Sequence, residues 1–301
     1  MLQTFLLCPF SCSVDACGQR VSQEFYAEST HFLLELVQNA DDNTYDAENT
    51  PTLRIRYERE RGLLLVQCNE VGFSQRNVEA ICAIGRSSKD GIASGIGEKG
   101  VGFKSVFKVA NVVWIHSGHY SFKFDRSQPL GIVTPIPDRF PVPAFARDRH
   151  TTMCLRIDRG YHAAELSDAM RKLDPRLLLF LRKLRILDLS IKEPTGERWS
   201  AQLRRAELVP VEGGLGYGTV DLFKDGARQR YTLTTHVARG LDPSPRRPGR
   251  SESELVFGFA VSDNGTPILS PQWVHAFLPV RNYGFKVRKG PKPLSADLRR
   301  A

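Results

Sequence analysis

Apolar residues in the first half of the chain repeat with a helical period and then an alternating one, and the changes of period mark the elements. From Glu24 the period is helical: Phe32, Leu33, Leu36, Val37 and Ala40 fall on one side of a wheel. Glu35, Asn39 and Asp42 occupy another arc at i, i+4 and i+7, so three polar side chains project in nearly one direction. A solvated helix face accounts for them as simply as a site does. Two strand-like runs, Leu53–Tyr57 and Leu63–Cys68, joined by a charged turn with Gly62, predict a hairpin. Asn69-Glu-Val-Gly-Phe-Ser74 then leads into a short helix with Val78, Ile81 and Cys82 on one side and Ser74 as candidate N-cap. After Ile84–Lys89 the glycines crowd together (Gly91, Gly95, Gly97, Gly100, Gly102) and run into an apolar helix carrying Phe103, Val106, Phe107 and Ala110. Strands are predicted at Val112–His116, Tyr120–Phe124 and Thr152–Ile157.

Pro129 to Arg149 is proline-rich and reads as an extended connection. A boundary is expected near residue 160, where the pattern switches. Ala163–Leu173 and Arg176–Leu184 read as helices, and Ile186–Ile191 as a strand. Short strands follow, including Tyr217–Phe223, Tyr231–Val237 and Leu255–Val261, with Gly240–Ser253 as a mobile loop holding Pro243, Pro245, Pro248 and clustered arginines. No internal repeat is visible.

Composition narrows the classes. A length of 301 residues suggests two units of ~150. With 41% hydrophobic and 25% charged residues, the chain is not wholly disordered. No apolar run reaches the ~18 residues of a membrane-spanning helix. The six cysteines (Cys8, Cys12, Cys17, Cys68, Cys82, Cys154) lack the paired spacing of a zinc site, and the apolar opening stretch lacks a basic flank, so a reducing, intracellular setting is expected. The net charge of +9 permits an anionic partner without naming one.

Three pieces fit one chemistry. Gly95-Ile-Gly-Glu-Lys-Gly-Val-Gly102 precedes a helix, and backbone N–H groups at such a terminus favour anions. No Gly-Lys-Ser/Thr closes the run, which excludes a Walker A loop, and no strand leads straight into it, which excludes a Rossmann fingerprint. The carboxamide of Asn39 is a hard oxygen ligand suited to Mg²⁺, and the Glu35 carboxylate one turn earlier suits a general base.

Glu35-Leu-Val-Gln-Asn39-Ala-Asp-Asp42 resembles the N box of the GHKL superfamily, the ATP-binding fold shared by Hsp90, MutL, type II topoisomerases and sensor histidine kinases. The fuller text is more similar to the sacsin branch and its plant and fungal relatives of the NO VEIN type. It matches at His31–Tyr45, at Ile84-Gly-Arg-Ser-Ser-Lys89, at Gly97-Glu-Lys-Gly-Val-Gly-Phe-Lys-Ser105 and at Phe277–Phe285. The resemblance spans roughly residues 24 to 287. It implies an α+β fold: a two-layer α/β sandwich of the GHKL (Bergerat) kind over 23–160, after an irregular segment 1–22. A smaller α/β unit over 161–301 follows, ending in a basic tail.

By the same resemblance, Glu35 activates the hydrolytic water, Asn39 binds Mg²⁺, and Asp42 lies near the nucleotide. Gly97, Gly100, Val101, Gly102 and Phe103 belong to the lid and phosphate loop, with Lys99 a further phosphate contact. Thr151 or Thr152, the latter taken as the candidate, stands near the adenine. ATP and Mg²⁺ are the implied cofactors.

Two departures qualify the picture. The family's adenine-contacting Asp lies in Asp-x-Gly-x-Gly, whereas this chain has Asn69-Glu-Val-Gly72-Phe, leaving Asn69 or Glu70 as substitutes. After Lys286 the tail is basic where an apolar strand is expected, so the second unit reads as truncated or altered, with Arg281 as a candidate γ-phosphate cation. The expected function is a slow, Mg-dependent ATPase coupling nucleotide state to lid closure in a chaperone-like or scaffold role. The alternative is a catalytically inactive nucleotide-binding or protein-interaction module. Nucleic acid is disfavoured as a partner because the basic loops lack interleaved aromatics, and a histidine kinase because His31 lies on the site helix itself.

Overall fold

The computed structural model describes residues 31–82, 101–142, 150–161, 163–210, 217–240, 252–268, 271–276 and 278–286. Helix α1 is His31–Asp42; strands β1 (Thr52–Glu58) and β2 (Leu63–Cys68) follow, then α2 (Gln75–Cys82) and the short α3 (Val101–Lys104). Next come β3 (Ala110–Ser117), β4 (Tyr120–Asp125), β5 (Ile136–Pro137), β6 (Thr151–Ile157) and α4 (Ala163–Lys172). The later part is almost all strand: β7 (Ile186–Lys192), β8 (Arg198–Arg205), β9 (Val209–Pro210), β10 (Tyr217–Lys224), β11 (Ala227–Arg239), β12 (Glu252–Val261), β13 (Pro271–Ala276) and β14 (Leu278–Lys286).

The expected hairpin forms, with Leu53 opposite Cys68 and Glu58 opposite Leu63, turning through Gly62 at φ 60°. Its two strands seed a mixed twelve-stranded sheet. From β2 the order continues through β6, β3, β4 and β5, all antiparallel; from β1 it continues through β7, β8, β10, β11 and β12, with β9 attached to β10. The β1–β7 pairing is parallel, Thr52 opposite Ile186 through Glu58 opposite Lys192. The expected boundary near residue 160 is therefore spanned by one sheet. β13 and β14 form a separate two-stranded ribbon.

Side-chain alternation gives this sheet two unlike faces. One carries Leu53, Ile55, Tyr57, Leu64, Val66, Val113, Ile115, Leu155, Leu187, Leu189, Leu203, Val220, Leu222 and Leu233, and the helices pack on it in a single core running from Phe32 to Ala260. On the other face Leu63, Leu65, Val112, Trp114 and Cys154 form a smaller cluster under Phe140. The result is a mixed α+β fold with one large sheet and few helices.

Two segments depart from the pattern-based reading. Arg176–Leu184 is not an α-helix: a 3-10 turn over Pro175–Leu179, N-capped by Asp174 accepting from the Arg176 N–H (2.8 Å), is its only helical part. The reason is tertiary. The carbonyls of Leu178 and Leu181 accept from the Arg205 guanidinium, and the amides of Arg182, Lys183 and Leu184 bind Asp41, so these backbone groups are taken from helix formation. The apolar helix expected from Phe103 to Ala110 is α3 followed by a 3-10 turn over Ser105–Lys108, because Ala110 already belongs to β3. Ser74 does cap α2: its Oγ accepts from the Asn77 N–H (3.4 Å) while the Asn77 Oδ1 accepts from the Ser74 N–H (2.9 Å), a reciprocal capping box.

Candidate functional site

Helix α1 lies pressed between the sheet and its neighbours, and none of its 12 residues is fully exposed. Phe32, Leu33, Leu34, Leu36, Val37 and Ala40 are buried in the core. Glu35, Asn39 and Asp42 are half-buried, which a solvated helix face would not be. His31 Nδ1 stands 3.7 Å from a Glu35 carboxylate oxygen at i, i+4. Helix α3, which opens at Val101 and Gly102 at the close of the glycine run, packs directly against α1. Phe103 is buried there and stacks edge-on with Phe107. Gly97, Lys99 and Gly100 lie outside the described residues, as do the side chains of Val101 and Arg281.

The C-terminal end of α1 is stitched to the loop after β2. The Val71 N–H donates to the Thr44 carbonyl (3.0 Å), and the Tyr45 hydroxyl donates to the Ala40 carbonyl (2.6 Å) while lying 3.1 Å from Cys68 Sγ. Asp42 and the Asn69-Glu70 stretch thus share one end of the sheet. Burial first, then the charge of neighbouring Cys68, raises the Tyr45 phenol above its ordinary value; burial pushes the Cys68 thiol up to about 11. Both groups remain protonated at neutral pH and act as hydrogen-bonding links.

Placement separates the adenine candidates. Asn69 is engaged with backbone: its Oδ1 accepts from the Thr52 N–H (2.7 Å) and its Nδ2 donates to the Thr50 carbonyl (2.9 Å), bracing the start of β1 against the end of β2. Glu70 is buried, 5% exposed, and its charge acts on Tyr45 and Cys68. Thr151 and Thr152 point to opposite faces. Thr152 sits between Gln67 and His116 in register, on the face that carries Leu65, Trp114 and Cys154, away from α1. Thr151 sits between Cys68 and Ser117, on the α1 face. Its Oγ1 is 2.6 Å from Ser117 Oγ, which in turn accepts from the Phe73 N–H (2.7 Å). Gly72 makes this approach possible, since at φ 89° a Cβ would strain the backbone and lie 3.4 Å from Ser117 Oγ.

Asp41, Tyr45 and Ser117 were not singled out by sequence pattern. Asp41 lies off the Glu35/Asn39/Asp42 arc, and its distant backbone partners at 182–184 give it its place in the structure.

Cavities elsewhere are occupied by internal ion pairing. One of about 460 Å³ on the opposite face is lined by Arg54, Gln67, Asp188, Ser200 and Gln202, with Arg54 and Asp188 3.2 Å apart. Another of about 600 Å³ holds Asn111, Asp125, Arg126, Arg156 and Asp158. A hydrogen bond from Ser127 holds the Asp125 carboxyl below the usual range, and one from the Gly160 N–H does so for Asp158, so neither is poised to carry protons at neutral pH.

Comparison with known proteins relates the chain to a family model and to a plant protein. The family model of the sacsin domain matches residues 20–130, which hold α1, the β1–β2 hairpin and α3. Protein NO VEIN of Arabidopsis thaliana is 31% identical over 292 residues, covering 89% of this chain. The chain spans about a tenth of that relative's own length. Together the two similarities establish a sacsin/NO VEIN-type relationship.

Proposed function

We propose that the chain is a Mg-dependent ATP-binding module of the GHKL type and a slow ATPase, whose nucleotide state sets closure of the glycine segment in a chaperone-like or scaffold role. The observation that carries this reading is the half-buried Glu35/Asn39/Asp42 arc on a helix packed against α3, where the glycine run ends. Two carboxylates and a carboxamide stand half-buried in line along this helix.

The donor set suits Mg²⁺ rather than a softer ion. Asn39 offers a hard carboxamide oxygen one turn from the Glu35 carboxylate that serves as base, and no group of three or more His, Cys, Asp or Glu side chains fit for a metal occurs among the described residues. A cation held by one or two protein oxygens, with phosphates and water completing its shell, is the Mg²⁺ habit. When bound, it offsets phosphate charge. Glu35 would accept the proton of the attacking water, and Asn39 would hold the cation through its carboxamide oxygen. By the family resemblance, backbone N–H groups of the glycine run that ends at Gly102 would cradle the phosphates. Thr151, on the α1 face, takes the role of the adenine-side threonine. Asn69 is engaged by Thr50 and Thr52, and Glu70, next along the chain, is the acidic candidate for the base.

A phosphate-release assay tests the reading. Glu35→Ala is expected to abolish turnover and spare binding; unchanged turnover removes Glu35 from the mechanism. A second reading, a non-catalytic nucleotide-binding or protein-interaction module, is favoured by the lack of an Asp in Asn69–Phe73, and binding without phosphate release would select it.

A further inference from the structure

Asp41 is 5% exposed, yet its carboxylate meets no cationic side chain at hydrogen-bond distance among the contacts of the described residues. Instead it receives three successive backbone N–H groups from the far end of the sequence: Arg182 (2.8 Å), Lys183 (2.7 Å) and Leu184 (2.8 Å). Successive amides converging on one carboxylate form an anion-binding concavity, and charge-assisted bonds of this length are the strong kind. The same turn acts on α1 a second time. Lys183 Nζ donates to the carbonyl of Asn43 (2.5 Å) and reaches that of Asp42 (3.5 Å), a cation placed at the C-terminal, negative end of the helix.

The turn itself is fixed from below. The half-buried Arg205 guanidinium donates to the carbonyls of Leu178 (3.0 Å) and Leu181 (2.7 Å), and the Arg185 and Ile186 amides donate to the Pro51 carbonyl (3.0 and 3.2 Å). Residues 178–186 are thus bound to β8, to the entrance of β1, and to the last turn of α1. Asn39 lies two positions before Asp41, and Glu35 about one turn before Asn39 on the same helix.

We propose that Asp41 is a positioning residue: by seating in the amides of 182–184 it locks the height and rotation of α1, and so the placement of Glu35 and Asn39, to the second half of the chain. Displacement of the 182–184 turn moves the helix with it, and anything that shifts α1 is felt at 182–184. The consequence for turnover rests on the ATPase reading above; the mechanical coupling does not.

The test uses the full chain. In Asp41→Asn, hydrogen exchange of the Arg182–Leu184 amides is expected to accelerate at least tenfold, together with the amides of residues 39–42 in α1. Mg·ATP affinity is expected to stay within about threefold while kcat falls at least fivefold, a split that general loosening of the fold would not produce. Faster exchange at 182–184 with α1 unchanged, or a fall in affinity equal to the fall in kcat, overturns the proposal. If Asp41→Asn does not fold, Lys183→Met serves, with the same pattern expected at smaller amplitude and the same outcomes against it. Absence of turnover in the unmodified chain defeats the ATPase reading alone, and the exchange experiment still decides the coupling.

Discussion

Replacing Asn69 by Ala separates a bracing role from a ligand-contacting one. The change deletes two side-chain hydrogen bonds, at 2.7 Å from the Thr52 N–H and at 2.9 Å to the Thr50 carbonyl. Each such bond contributes about 1 kcal/mol net, and the Thr52 amide, on a residue only 7% exposed, is left without its side-chain acceptor. The sum is a destabilisation of about 2–3 kcal/mol. For a cooperative unit of this size that lowers Tm by about 4–10 °C, read by circular dichroism or calorimetry. Asn69→Asp retains the acceptor for Thr52 but sets a carboxylate beside the Thr50 carbonyl, so it recovers about half of the loss. Nucleotide affinity in Asn69→Ala, measured well below its Tm, is expected to change less than about threefold, under 1 kcal/mol. A Tm within about 1 °C of the unmodified chain, combined with a tenfold loss of affinity, would refute the bracing role and return Asn69 to the base site.

Two further perturbations probe the surroundings. Lys104 Nζ donates to the carbonyls of Ile81 (2.6 Å) and Ile132 (2.5 Å) and lies 4.6 Å from the Phe124 ring centre; burial pulls its ammonium down to about 8 from an ordinary 10.5. A folded value below the unfolded one means the cost of burying the cation is fully present below pH 8 and is relieved between pH 8 and 10.5. The Tm of the unmodified chain relative to Lys104→Met should therefore rise between pH 7 and 9.5, and a pH-independent difference would count against it. Burial also holds the Cys68 thiol up near 11 and the Cys154 thiol near 12, so native-state alkylation at pH 8.5 should run on the order of 100-fold slower than for a free thiol at Cys68 and on the order of 1000-fold slower at Cys154, with normal rates only in denaturant.

The elements of the first half were legible because their periodicity is local. The α1 stripe, the β1–β2 hairpin and the Ser74 cap each depend on residues within a turn or two of one another. What stayed hidden was long-range. β8 reads Arg-Trp-Ser-Ala-Gln-Leu-Arg-Arg, with only Trp199, Ala201 and Leu203 apolar, because its other face is open to solvent beside Asp188 and Asp225. The parallel β1–β7 pairing joins residues more than a hundred positions apart, and no local pattern announces it. In the site, spacing identified the Glu35/Asn39/Asp42 arc but not Asp41, whose partners lie at 182–184. The two adjacent threonines needed the sheet register to assign their faces, which put Thr151 rather than Thr152 toward α1.

The central claim is that the α1 arc and the glycine segment hold a magnesium nucleotide, and isothermal titration of the full chain with ATP tests it most directly. Saturable binding that requires Mg²⁺, persists in Glu35→Ala and is lost in Asn39→Ala is the predicted result. No heat of binding at millimolar ATP with Mg²⁺ present would contradict the claim.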